Sequence, residues 1–206
     1  MFQEMINGSI AVFTKPSVET FETHEKDNLI WALIYSVIAG VINAVLGAIK
    51  TALFPVDLAS LPSGMADQVQ AGSSGIVSTV LGAIIATIIG LMISWGLTYG
   101  LGKAFGGTGK FGELAYDLSL FNAPSTVIFS VLNFIPFLGG FAALALFGYN
   151  LYLTYVGIQA GMDLPSNKAL YVILIEIAIG VVIGVCIVAF AFAAIAALMG
   201  ASGGLR

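Results

Sequence analysis

Five long apolar runs fill most of this 206-residue chain, and they limit the possible folds more than any other feature. They cover about 29–54, 75–102, 116–138, 141–161 and 169–200. A helix needs about 20 residues to cross the hydrocarbon core of a bilayer, and each run has that length. A transmembrane barrel would instead show alternation over segments of about 10 residues. The sequence therefore predicts an all-α, polytopic transmembrane helical bundle with about five spans.

The composition agrees with a chain that faces lipid. Hydrophobic residues make up 59% of the sequence and charged residues 9%, whereas soluble domains average roughly 45–50% and about 25%. So few charges do not cover the surface of a soluble protein of this size. The formal net charge of −4 also excludes proteins that bind nucleic acid through basic patches. The expected partner is the lipid bilayer, with no nucleic acid.

The segment before the first span is amphipathic. Its apolar residues recur at roughly helical spacing, which favours a short helix on the membrane surface. They are Phe2, Ile6, Ile10 and Phe13. We therefore divide the chain into an amphipathic cytosolic N-terminal segment, 1–28, and a five-helix transmembrane domain, 29–206.

The lysines and the arginine set the expected orientation, because cytoplasmic loops of membrane proteins carry more of them than external loops. If the N-terminus is inside, the outer segments hold two, Lys50 and Arg206. The inner segments hold five, which are Lys15, Lys26, Lys103, Lys110 and Lys168. The sequence thus predicts an internal N-terminus and an external C-terminus.

Small residues follow one another at steps of four along the second span. The ridge that they form consists of Ser78, Gly82, Ala86, Gly90 and Ser94. In membranes such a ridge lets another helix approach closely, because van der Waals contact replaces the hydrophobic drive. The partner helix belongs either to the same chain, or to a homo-oligomer or another membrane protein. The spacing alone does not choose between these alternatives.

Five polar side chains lie inside the predicted spans, and they are Glu176, Asn43, Asn122, Asn133 and Asn150. An ionisable residue in a membrane is costly, which makes Glu176 a candidate for a functional role. The amides need hydrogen-bonding partners in lipid, so we expect them to face the bundle interior. We predict that these side chains line a polar cavity. The alternative is structural, with amides joining helices and Glu176 near the interface or paired with a helix end.

Span three contains a candidate helix break at Pro124, directly after Asn122 and Ala123. Proline removes a backbone hydrogen bond and disfavours helix in the residue before it. Transporters place binding sites at interrupted helices. A simple proline kink in a structural helix is the other interpretation.

The sequence carries none of the residue patterns that point to catalysis. It has one histidine and one cysteine, Cys186, so it offers no Ser/His/Asp set, no intramolecular disulfide and no Cys/His cluster. It also lacks the HExxH and GxxxxGK(S/T) motifs. We predict a protein that is not an enzyme, with no catalytic residue, metal or cofactor.

Three segments carry a family resemblance. They are KPSVETFE at 15–22, GGTGKFGELAYDLSLFNAP at 106–124 and YNLYLTYVGIQAGMDLPSNKAL at 149–170. The first resembles a Pro-x-x-x-Phe segment before span one, and the second a glycine-rich turn, a Phe-x-Glu/Asp-Leu helix and a following Pro. The third resembles a span-four end, a short loop and a Lys-Ala-Leu start of span five. All three features are those of the Yip1 domain family of five-span integral membrane proteins, and the chain is similar to its prokaryotic members.

The resemblance implies a cytosolic N-terminus and an external or lumenal C-terminus. Eukaryotic relatives bind Rab-type GTPases, act in vesicle traffic and carry long cytosolic extensions. This chain has an N-terminal segment of about 28 residues. The short segment argues against a small GTPase as partner and favours a prokaryotic cell membrane as the location.

Two functions are compatible with these observations. The first is a non-enzymatic scaffold, a trafficking or organisation factor, that acts through helix packing and protein partners. The second is a channel or transporter for a small ion or solute, which would use Glu176 and the asparagines within the spans. A transport site requires these side chains to converge on one cavity, whereas scattered helix contacts would favour the scaffold.

Overall fold

The structure, a computed structural model, describes residues 1–55, 76–135 and 138–203. Over these ranges the chain forms seven α-helices and no strand, which confirms the all-α prediction. In chain order they are α1 (Phe2–Thr14), α2 (Val18–His24), α3 (Leu29–Leu53), α4 (Ile76–Ala104), α5 (Phe111–Leu132), α6 (Leu138–Gly161) and α7 (Ser166–Gly203). The loop that we predict after the first span lies, from residue 56 on, outside the described residues.

Side-chain caps fix where α2 and α3 begin. The Ser17 hydroxyl accepts a hydrogen bond from the backbone N–H of Thr20 at 3.1 Å. The Asn28 side chain accepts one from the backbone N–H of Trp31, also at 3.1 Å. Each cap satisfies a backbone donor that the first turn of a helix leaves free, so the two starts are encoded locally.

α5 lies at the centre of the bundle. α3 and α6 pack along it, and α1 and α4 also contact it. Its side chains Leu114, Tyr116 and Phe121 are among the largest that are fully buried in the protein. α7 packs instead on α4 and α6. The core is thus built around a helix that is less apolar than α3, α4, α6 and α7.

Most of the charged residues that the structure describes gather at one end of the bundle. The Lys110 ammonium lies 3.3 Å from the Asp27 carboxylate, which brings the start of α5 to the start of α3. The Thr108 hydroxyl donates to Asp163 at 2.7 Å, which joins the α4–α5 loop to the α6–α7 loop. We call this end the polar cap, and it consists of residues 1–28, 105–110 and 162–168. The five long helices therefore run alternately away from and toward the polar cap.

The two N-terminal helices are packed on the bundle. The hydroxyls of Ser9 in α1 and Tyr35 in α3 share a buried hydrogen bond of 2.9 Å. Phe21 in α2 is fully buried, and its ring meets that of Phe121 edge to face with centroids 6.2 Å apart. The amphipathic segment thus adds to the core, which the spacing of its apolar residues alone does not show.

Four helices of the described chain are long and apolar enough to cross a membrane. The spanning portions are Leu29–Leu53, Leu81–Ala104, Gly139–Gly161 and Ser166–Ala194. They make the chain an integral membrane protein. α5 does not meet the same criterion of length and composition, since it carries Glu113, Asp117 and Asn122. The count of five spans and the orientation of the termini stay predictions.

Two details of the predicted third span differ in the structure. We expected the span at 116–138, but α5 covers Phe111–Leu132, because its polar first turns are buried against the rest of the protein.

The predicted helix break at Pro124 is wrong, since α5 continues through it. Proline costs one backbone hydrogen bond, and packing on α3 and α6 keeps the helix intact. The Thr126 hydroxyl also donates to the Asn122 backbone carbonyl at 2.8 Å, within the turn that contains Pro124.

Candidate functional site

A polar cavity of about 300 Å³ lies between α3, α5 and α6. Its polar lining comes from three asparagines and two hydroxyl residues, which are Asn43, Asn122, Ser125, Thr126 and Asn150. The rest of the wall is apolar, with Phe129, Ala143, Leu146 and Phe147. Each of the three helices therefore contributes one asparagine to the same space.

The cavity lies far from either end of the bundle. At 1.5 Å per residue, Asn43 lies about 21 Å along α3 from the polar cap, and Asn150 about 16 Å before the end of α6. The helices themselves are 25 and 24 residues long. The amides thus sit near mid-depth, where membrane transporters place substrate sites.

Hydrogen bonds leave part of this lining without a protein partner. The Ser125 hydroxyl donates to the side-chain amide oxygen of Asn150 at 2.7 Å, and the Ser130 hydroxyl donates to the side-chain amide oxygen of Asn43. The Asn122 amide makes no hydrogen bond to any residue that the structure describes, and it is only partly buried. The cavity therefore presents free amide groups, with no charged side chain among its lining residues.

The other two predicted cavity residues lie elsewhere. The Thr98 hydroxyl donates to the Glu176 carboxylate, which joins α4 to α7. Glu176 lines a separate, mostly apolar crevice of about 430 Å³ between α6 and α7. The Asn133 amide is exposed and donates to the Phe129 carbonyl at 2.9 Å. The structure thus brings three of the five polar residues together, and their role as a site stays a prediction.

The small-residue ridge of α4 faces outward. Gly82, Ala86, Gly90 and Ser94 are all exposed. A methyl group placed on Gly82 or Gly90 would meet no atom of the described residues within 4 Å. The side chain of Ser78, the fifth ridge residue, lies outside the described part of the chain. The ridge is therefore not used for packing among the helices that the structure describes.

The opposite side of α4 makes the internal contacts. Trp95 is 1% exposed and Thr98 is buried. A methyl group on Gly40 of α3 would lie 2.9 Å from the Thr87 hydroxyl, so α3 and α4 approach closely there. Residues of α4 outside the ridge therefore make its contacts with the other described helices. The ridge itself is left free for the other alternative, contact with a second copy or another membrane protein.

The polar cap is rich in carboxylates, and one of them has an unusual acidity. Burial and, after it, the nearby carboxylates of Glu113, Asp163 and Glu22 together raise the pKa of Glu25 to about 7, against the opposing charge of Lys110. Within the described residues no three His, Cys, Asp or Glu side chains are placed to hold a metal ion. The polar cap therefore holds carboxylates that repel one another.

The sequence analysis did not identify three polar residues, Asp117, Ser125 and Thr126, whose positions in the structure are notable. Asp117 is 0% exposed, and neither of its carboxylate oxygens has a hydrogen-bond partner in the described structure. The sequence did contain an indication of its burial, because Asp117 lies one residue inside the predicted third span. Ser125 and Thr126 line the cavity, and their spacing of three and four residues from Asn122 on a helix was the signal there.

Comparison with known protein families matches residues 10–187 of this chain to the Yip1 domain. No curated protein and no solved structure matches it.

Proposed function

We propose, since this chain belongs to the Yip1 domain family of membrane proteins, that it is a non-enzymatic scaffold that organises membrane proteins through helix contacts. The observation that carries the proposal is the outward ridge of α4, whose described small residues are all exposed. Small residues at four-residue steps are the usual interface of associating membrane helices. The first partner that we assign to the ridge is the same ridge of a second copy.

The residues around the ridge support close helix contact. Leu81, Ile85, Ile89 and Ile93 flank the small residues and are all exposed. Large side chains beside small ones form the ridges and grooves that pack between two helices. A second copy that offers the same face is self-complementary about a two-fold axis.

Cysteine cross-linking tests this contact in proteoliposomes of the full chain. Cys186 is first replaced by Ser, and one cysteine is introduced by Ala86→Cys on the ridge. We expect this protein to form a disulfide between two copies under mild oxidation. Thr87→Cys is the matched control, because Thr87 faces Gly40 of the same chain. Equal cross-linking of the two variants, or none in either, would contradict the proposal.

We also propose that α5 crosses the membrane, that the polar cap is cytosolic and that the membrane is that of a prokaryotic cell. α4 ends at the polar cap and α6 returns to it, so α5 has to traverse the bundle between them. Lys26, Lys103 and Lys110 lie at the polar cap, whereas Lys50 is in the last turn of α3, at the opposite end of the bundle.

Labelling with a membrane-impermeant maleimide tests the orientation in protein whose Cys186 is replaced by Ser. The reagent should label Ser166→Cys from inside and Thr51→Cys from outside. The reverse pattern would overturn the orientation.

A channel or transporter is the second candidate function, and the polar cavity at mid-depth is the observation that favours it. A route for ions through Glu176 has less support, because that side chain lies in the crevice between α6 and α7. Proteoliposomes should be tested for proton and ion flux, with wild type and Glu176→Gln compared. Flux that Glu176→Gln abolishes in a folded protein would favour transport, and absence of flux would favour the scaffold.

A further inference from the structure

We propose that the polar cavity binds an uncharged glycerol-type group, in which hydroxyl and carbonyl oxygens lie on adjacent carbons, and that the group enters sideways from the bilayer. The proposal rests on the cavity between α3, α5 and α6. It is independent of the scaffold proposal, whose ridge lies on α4.

The free hydrogen-bonding groups of the cavity select oxygen-rich ligands. The carbonyl oxygens of Asn43 and Asn150 already accept hydrogen bonds from serines. Their amide N–H groups donate to no described residue, and the Asn122 amide is free at both atoms. An amide group that has no hydrogen-bond partner costs free energy in an apolar surrounding such as lipid. A ligand with several acceptor oxygens and a hydroxyl donor would satisfy all three amides together.

The absence of charge along the cavity wall decides the charge of the ligand. The residues that line the cavity carry no Asp, Glu, Lys, Arg or His. A charged group at mid-depth in a membrane needs a partner of opposite charge, and its transfer without one is expensive. Phosphates, carboxylates and amines are therefore excluded, whereas hydroxyl and ester groups fit.

Size and position favour a group with an apolar tail. A volume of about 300 Å³ equals roughly ten water molecules at about 30 Å³ each, which is enough for a glycerol unit with its ester carbonyls. Phe129 and Phe147 line the cavity and are 45% and 61% exposed, and Asn43 is exposed as well. The cavity therefore opens on the outer surface of the bundle at mid-depth, where the tails of lipids lie.

Two sources supply this chemistry, a diacylglycerol-type lipid and free glycerol, and one experiment separates them. The full chain in phosphatidylcholine nanodiscs is irradiated with a diacylglycerol that carries a diazirine on one acyl chain. A methyl ester with the same diazirine chain measures labelling by lipid contact alone. Labelled peptides are identified by mass spectrometry, with and without excess glycerol.

We expect the diacylglycerol probe to label cavity segments of α3, α5 or α6 above the methyl ester. Asn122→Leu should lower this labelling about tenfold, as the loss of one hydrogen bond in an apolar site predicts. Asn133→Leu is the matched control, since Asn133 lies outside the cavity, and it should label like wild type. Competition by glycerol would show that the soluble polyol also binds, and its absence would assign the site to the lipid.

A second variant keeps the test decisive if Asn122→Leu does not fold. Ala143→Phe fills the cavity from α6 and leaves every amide in place, and it should remove the specific labelling. The proposal is overturned if the diacylglycerol labels no better than the methyl ester. It is also overturned if folded Asn122→Leu or Ala143→Phe protein labels like wild type.

Discussion

Asp117 is the residue whose environment is hardest to reconcile with stability. It is fully buried on α5, and both carboxylate oxygens lack a partner among the described residues. A methyl group on Gly161 would lie 3.1 Å from one of these oxygens, so the end of α6 closes over the carboxyl. Burying a charged or polar group without hydrogen bonds is destabilising. The side chain therefore weakens the fold that surrounds it.

Asp117→Leu should raise the free energy of unfolding by roughly 1–3 kcal/mol, because it replaces a buried carboxyl without a described partner by an apolar side chain of similar size. Unfolding of the purified protein in detergent by denaturant measures the change. Glu22→Gln, which neutralises an exposed carboxylate of α2, should change stability by less than about 0.5 kcal/mol. A loss of stability in Asp117→Leu would show that the carboxyl makes an interaction that this structure does not contain.

Glu25 makes the stability of the polar cap depend on pH. Its pKa in the folded protein is raised to about 7, chiefly by burial, whereas an unperturbed Glu has a pKa of about 4.3. Between these values the folded state binds more protons than the unfolded state, so stability falls as pH rises. The contribution is complete near pH 4 and lost above pH 7.

We therefore expect wild type to lose thermal stability relative to Glu25→Gln as pH rises from about 4.5 to 7.5. The difference between their melting temperatures over this range isolates Glu25 from the other carboxylates. Glu19→Gln serves as control, since Glu19 is exposed on α2, the helix that ends directly before Glu25. A difference that stays constant with pH, or one that grows in favour of wild type, would show that Glu25 is ionised in the folded protein.

At the level of elements, the glycine-rich α4–α5 loop owes its sequence to a close contact. A methyl group on Gly109 would overlap the Gly161 carbonyl, and one on Gly161 would lie 2.8 Å from the Leu114 Cα atom. The backbone N–H of Thr108 donates to the Met162 carbonyl at 3.0 Å, beside this contact. The sequence shows a glycine-rich turn here, and the structure shows two backbones in contact, which requires residues without a side chain.

Gly109→Ala should lower the melting temperature strongly or prevent folding, because backbone atoms have no rotamer to yield. Gly148→Ala makes the same chemical change at an exposed site in α6, where a methyl group meets no described atom. This control should be neutral or stabilising by up to about 1 kcal/mol, since alanine favours helix. Similar melting temperatures for the two variants would rule out the contact between Gly109 and Gly161.

The sequence predicted the limits of four long helices better than those of α5, and the reason is physical. Hydropathy located α3, α4, α6 and α7 within a few residues, because these helices face lipid and their composition records it. The limits of α5 were misplaced, since a helix surrounded by protein can carry buried polar side chains. Pro124 was misread because its lost hydrogen bond is compensated by packing on neighbouring helices, which no local pattern encodes.

For the whole molecule, the arrangement of helices decides what each predicted residue can do. That Asn43, Asn122 and Asn150 share one cavity depends on how α3 and α6 are rotated about α5. The sequence predicted that the amides face inward, but it did not separate them from Glu176, which lies between α6 and α7. The internal contacts of α4, through Thr87, Trp95 and Thr98, turn its ridge outward, so the surface available for association follows from the packing of the core.

Self-association through the α4 ridge is therefore tested most directly by energy transfer between labelled copies in liposomes, measured as the protein is diluted in lipid. We predict that wild type associates and that Gly82→Leu/Gly90→Leu weakens association at least about tenfold, or ~1.4 kcal/mol. Gly148→Leu, at an exposed glycine of α6, should associate like wild type. Equal association of the ridge variant and wild type, or no association of wild type at any dilution, would contradict the scaffold that we propose.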